Sequence, residues 1–251
     1  MELQQHSNQP TTTIDQPSTQ MTTRAAALAK LPAYICELVG TMLFVYMGVL
    51  SIDTAMHDTS MIPAFGHGMT IAVLIMALGH VSAHFNPPLA VTLAGKGPIS
   101  DVVVYPILQC VGGFVGAFLA WCSMSTENWV QINGGLVTHG VQSTGWQVLL
   151  CETILTFNLC TTVLNAQTKD GNIPMGLAVG LTVLVDILAG AKVSGASMNP
   201  ARTLGPSLLA SIVVPHRLLM TDETDPHIWL YFYIYLIGPA LGAIIAALVH
   251  R

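Results

Sequence analysis

The chain has 251 residues, of which 8% are charged and 52% hydrophobic, with a formal net charge of −5. A soluble domain carries roughly a quarter charged residues, so these few charges cannot cover a water-facing surface, whereas they suit a belt solvated by lipid. The dispersed acids imply no nucleic-acid partner, and five cysteines without a C-x-x-C pair speak against a disulfide framework or a zinc site; no cofactor or metal is expected.

Residues 1 to about 30 are rich in Gln, Thr, Ser and Pro without an apolar core, and are expected to be a disordered tail. Six stretches then meet the requirement of about 20 apolar residues for a membrane-spanning helix. They cover about 33–52, 63–81, 102–123, 146–166, 173–191 and 228–249. The Asp, Asn, Gly and Pro that end helices lie between them. Arg24, Lys30, Lys96, Lys169 and Arg251 fall on the side of the N-terminus, while the third loop has no Lys or Arg, so both termini are expected in the cytoplasm.

The chain repeats itself. Cys36-Glu37 in the first span recurs as Cys151-Glu152 in the fourth, Asn86-Pro87 as Asn199-Pro200, and Gly112-x-x-x-Gly116-Ala117 as Gly238-x-x-x-Gly242-Ala243. Each half, about 33–123 and about 146–249, holds three spans. The second therefore enters the membrane from the opposite side, which makes the two inverted repeats.

Each Asn-Pro follows an apolar span and opens a segment of roughly eight to ten mostly apolar residues, long enough to reach only mid-membrane. Asn86 and Asn199 are expected as helix N-caps. Pro87 with Pro88, and Pro200 with Ala201, are expected in the first turns. Irregular backbone at that depth is tolerated where it lines a water-filled cavity, so two re-entrant half-helices meeting head to head imply a pore. Glu37 and Glu152 are carboxylates inside apolar runs and demand partners. His80 and His84 stand where the chain leaves the second span.

Through Glu37, Gly79-His80, Asn86-Pro87, Glu152, Asn199-Pro200-Ala201-Arg202 and Gly238-Pro239 the sequence resembles the aquaporins, the major intrinsic protein channels. The resemblance covers nearly everything beyond the tail. It implies an all-α membrane protein of six transmembrane helices and two half-helices in residues 31–251, assembled as a homotetramer with one pore per subunit. It also implies that Asn86 and Asn199 donate hydrogen bonds to a passing water. Glu37, Glu152, His80 and His84 would support the half-helix loops. Arg202 would be the filter cation, with His67, Ile187 and Ala196 completing the filter. That quartet, with Val185-Asp186-Ile187-Leu188-Ala189-Gly190, resembles the branch that passes water, ammonia and hydrogen peroxide. Asp186 reads either as loop support or as pore lining.

Within the family a glycerol facilitator is the rival, although Thr203 stands where such channels usually have Asp. The departure Asn86-Pro87-Pro88, where the family usually has Asn-Pro-Ala, leaves a closed-pore junctional protein as a further alternative. An ion-coupled transporter would need Glu37, Glu152 or Asp186 to carry protons. No nucleophile with a base partner and no nucleotide loop is legible, so an enzyme is not expected.

Overall fold

The computed structural model of the protein describes residues 19–54, 61–137, 143–166, 173–213, 229 and 231–250. All the regular structure among them is helical. In chain order the helices are α1 (Thr19–Thr54), α2 (Met61–Leu78), α3 (Leu89–Leu93), α4 (Asp101–Ser123) and α5 (Thr126–Gln131). After a 3-10 turn at Asn133–Gly135 come α6 (Gly145–Ala166), α7 (Met175–Ser194), α8 (Pro200–Val213) and α9 (Ile234–Val249).

The contacts of the chain divide between Leu31 and Pro32. Up to Leu31 the described residues are helical from Thr19, inside the stretch 1–30 expected as a disordered tail; residues 1–18 of it lie outside the described residues. The segment 25–29, four alanines and a leucine, has the highest intrinsic helix propensity available.

Beyond Pro32, the second to fifth expected spans appear as α2, α4, α6 and α7. Each is long and apolar enough to cross a membrane, as is the stretch from Leu28 to Thr54 in α1. The sixth span, α9, has 16 residues and rises about 24 Å. Residues 230 and 214–228, which include the start expected for this span, lie outside the described residues.

The molecule is apolar on its outside as well as within. Val73, Met76, Val103, Ile107, Ile154, Val185 and Leu248 are all exposed, as lipid-facing residues should be. Inside, Phe44, Val45, Phe85, Leu155, Leu159, Ile187 and Met198 belong to one buried cluster.

Without a hydrophobic drive between helices in lipid, close approach depends on small residues. The two Gly-x-x-x-Gly pairs supply it symmetrically. A Cβ on Gly112 or Gly116 of α4 would lie 2.3 Å from the carbonyls of Leu38 and Met42 on α1, and one on Gly242 of α9 would lie 2.4 Å from that of Thr153 on α6. α2 packs on α7, and α4 on α8. Thus the two repeats use equivalent helix pairs around the segments that carry the asparagines.

Candidate functional site

The site is built from the two loops that precede α3 and α8. Glu37, fully buried on α1, accepts the backbone N–H groups of His84 and Phe85, each at 2.8 Å. Glu152, fully buried on α6, accepts those of Ser197 and Met198 at 2.9 and 2.8 Å. The carboxylates therefore grip the two residues just before each asparagine. Phe85 and Met198 both have positive φ, 51° and 53°, a strained conformation for a side-chain-bearing residue that persists only where the surroundings enforce it.

The two loops also hold each other. Asn86 donates through Nδ2 to the Met198 carbonyl at 2.9 Å, and Asn199 donates through Nδ2 to the Phe85 carbonyl at 2.7 Å. Each amide nitrogen carries two N–H groups. One is spent on the opposite repeat, which fixes the side chain and leaves the second as a donor.

The two helix starts differ. Asn199 is a true N-cap: its Oδ1 accepts from Ala201 N at 3.0 Å and Arg202 N at 3.2 Å, and α8 begins at Pro200. Asn86 is not, because α3 begins at Leu89 with Pro88 at its cap and no side-chain bond. The expected start at Pro87 is corrected by two residues. A residue before proline is driven out of the α region, so Pro88 keeps Pro87 from entering the helix. A tight turn takes its place, with Leu89 N donating to the Pro87 carbonyl at 2.9 Å.

Some 12 residues before Asn199, and again just after it, side chains converge on a second constriction. His67 on α2 bonds through Nδ1 to the Pro63 carbonyl at 2.9 Å. That bond places the ring proton on Nδ1 and leaves Nε2 as an acceptor, 3.3 Å from Arg202 Nη2. Arg202 Nη1 also donates to the Gly135 carbonyl at 3.4 Å. His67, Ile187, Ala196 and Arg202 line one cavity of about 200 Å³ together with Asn86 and Asn199. A second cavity, about 390 Å³, lies past Asn86 and is walled by Ser82, His84, Pro87, Tyr105 and Cys160. Ile71, Asn86 and Leu159 border both.

A family model described as Major intrinsic protein matches residues 24–250. The chain belongs to the major intrinsic protein family. It is 30% identical over 259 aligned positions to Aquaporin-8 of Mus musculus, covering 96% of this chain and 92% of that protein. It is 34% identical to Aquaporin NIP1-1 of Arabidopsis thaliana, covering 88% of this chain and 73% of the relative. The fold matches the X-ray structure of the aquaglyceroporin from Plasmodium falciparum with a TM-score of 0.73 at 20% identity, over 87% of this chain and 94% of that one. As a member of the aquaporin family the protein is a membrane channel for small neutral solutes such as water, not an enzyme.

Of the expected site residues of this major intrinsic protein, His80 and Asp186 sit otherwise than expected, while His84 keeps its place in the loop. His80 is exposed in the turn after α2, and no bond joins it to the Asn86 loop among the described residues, because α2 ends at Leu78 and the side chain faces outward. His84 supports the loop through its backbone N–H; its ring Nδ1 stands 3.4 Å from Glu37 Oε1 and packs edge-on against Tyr105. Asp186 accepts from Asn158 Nδ2 at 2.9 Å between α6 and α7, and it lines neither cavity described.

Other residues of the site carried no motif. Gln109 on α4 donates to Glu37 Oε2 at 2.8 Å and to the Asn86 carbonyl at 3.1 Å, and Ser82 donates to Glu37 Oε1. In the second repeat Tyr235 on α9 donates to the Ser194 carbonyl at 2.7 Å. A Gln inside an apolar span was the available signal for the first of these.

Proposed function

We propose that the protein is a passive channel for water that also conducts ammonia and hydrogen peroxide and excludes protons and ions. The observation that carries this reading is the contact between His67 Nε2 and Arg202 at 3.3 Å, in a cavity whose remaining filter residues, Ile187 and Ala196, are apolar. The one imidazole lone pair is engaged by Arg202, so the filter offers arginine donors and few side-chain acceptors. Ammonia accepts hydrogen bonds better than it donates them, and such a wall penalises it little.

Exclusion of cations rests on Arg202 and on the N-terminus of α8, which carries about half a positive charge. The five residues of α3 add less. The channel body comprises residues 31–251, with repeats at about 33–123 and 146–249, in a homotetramer whose termini are cytoplasmic.

Stopped-flow measurements on reconstituted vesicles test the reading. Water and ammonia permeability should rise above those of empty vesicles, and His67→Phe should lower ammonia flux by about fivefold, equivalent to about 1 kcal/mol. Full ammonia flux in that variant would refute the filter assignment. Flux no higher than that of empty vesicles would leave the closed-pore alternative, and rapid glycerol uptake would favour the glycerol-type facilitator, whose larger solute the 390 Å³ cavity can hold.

A further inference from the structure

We propose that Gly48 on α1 is a specificity-determining residue of the filter. By carrying no side chain it lets the His67 ring lie back against α1, turned toward Arg202, instead of projecting into the pore. This rests on the filter reading above.

A Cβ on Gly48 would lie 2.4 Å from His67 Nε2, 2.8 Å from Cδ2 and 2.9 Å from Cε1, distances that real Cβ atoms essentially never show. The imidazole therefore occupies the space that any other residue would fill at this position. Its other sides are fixed. Nδ1 is tied to the Pro63 carbonyl at 2.9 Å, and the ring of Phe44, one turn before Gly48 on α1, meets it edge-on with centroids 5.6 Å apart. Nε2 faces Arg202.

Ordinary van der Waals contact begins at 3.4 Å, so a methyl group at position 48 requires the ring to retreat by about 1 Å. The open direction is the cavity of about 200 Å³ that His67 shares with Ile187 and Ala196. Moving there narrows the constriction and opens the contact with Arg202, returning one arginine N–H and the Nε2 lone pair to the permeating molecule. The effect on solutes is then selective rather than uniform. Hydrogen peroxide, the largest of the three, loses most, and water, which can use both freed groups, loses least.

The test compares wild type, Gly48→Ala, His67→Ala and the double variant in reconstituted vesicles, with fluxes of water, ammonia and hydrogen peroxide normalised to inserted protein. Gly48→Ala should lower the peroxide-to-water ratio by about threefold or more, as expected for a methylene-sized change in a tight pocket. In the His67→Ala background the same glycine change should alter that ratio by less than about twofold, since no ring remains to displace. Fluxes that fall together by one factor in Gly48→Ala, or an equal ratio change with and without the ring, would overturn the proposal. If Gly48→Ala fails to insert while the double variant inserts, the clash with the ring is upheld; if both fail, the glycine serves only helix packing and the proposal falls. A His67→Ala variant with wild-type fluxes would instead refute the filter reading itself.

Discussion

Replacing Glu152 by Gln removes one of the two acceptors that hold the second loop. The carboxylate accepts Ser197 N at 2.9 Å on Oε1 and Met198 N at 2.8 Å on Oε2. An amide keeps one acceptor and turns a donor toward the other N–H, so one bond is lost and a buried N–H is left unpaired. That costs about 2–3 kcal/mol, comparable with the strain of order 1–3 kcal/mol in holding a residue such as Met198 at positive φ. The loop should relax, and as it does the Met198 carbonyl leaves Asn86 Nδ2. At about 2–4 °C per kcal/mol for a chain of this size, thermal unfolding in detergent should fall by about 4–12 °C, with a severalfold loss of water flux per inserted protein. An unfolding temperature within about 2 °C of wild type and unchanged flux would refute the reasoning. Glu37→Gln should be at least as damaging, because Oε1 receives Ser82 Oγ and His84 N while Oε2 receives Phe85 N and Gln109 Nε2.

The asparagines should separate in the same unfolding assay. Asn199→Ala loses two capping bonds and the bond to Phe85, about 2–3 kcal/mol, whereas Asn86→Ala loses the single bond to Met198, about 1 kcal/mol; equal losses would contradict the difference in capping. Pro88→Ala should free Pro87 to enter the helix, moving the start of α3 from Leu89 to Pro87 and bringing Ala N–H at position 88 within about 3.0 Å of Asn86 Oδ1, as Ala201 N stands to Asn199. A cryo-electron-microscopy map with α3 still starting at Leu89 would show that proline is not what delays it.

Much of this architecture is legible in the sequence, since apolar length and a twofold repeat of Cys-Glu, Asn-Pro and Gly-x-x-x-Gly are one-dimensional signals of helices and their pairing. Asn199-Pro200-Ala201 has the same meaning in sequence and structure because no second proline follows Pro200 directly, and the next one, Pro206, lies well inside α8. Asn86-Pro87-Pro88 reads alike but starts its helix late, a steric effect of one added ring. That Glu37 and Glu152 support the half-helix loops follows from the resemblance, but which atoms they bind could not be read from motifs. Backbone N–H groups have no residue identity, and Gln109 joins Glu37 across a separation of 72 positions. His80 belongs with the misses because an exposed turn and a buried one can share the same neighbours in sequence.

The paired asparagine bonds have a consequence for when the channel can exist. Asn86 and Met198 are 112 positions apart, and Asn199 and Phe85 are 114 apart. At roughly 5–20 residues per second of synthesis, the first loop waits about 6–22 s for the carbonyl and amide that complete it. Until then Asn86 lacks its acceptor and Phe85 has only Glu37 and its neighbours to hold it at positive φ. The centre of the channel is therefore among the last parts of the molecule to be made, and a half-length chain cannot form it alone.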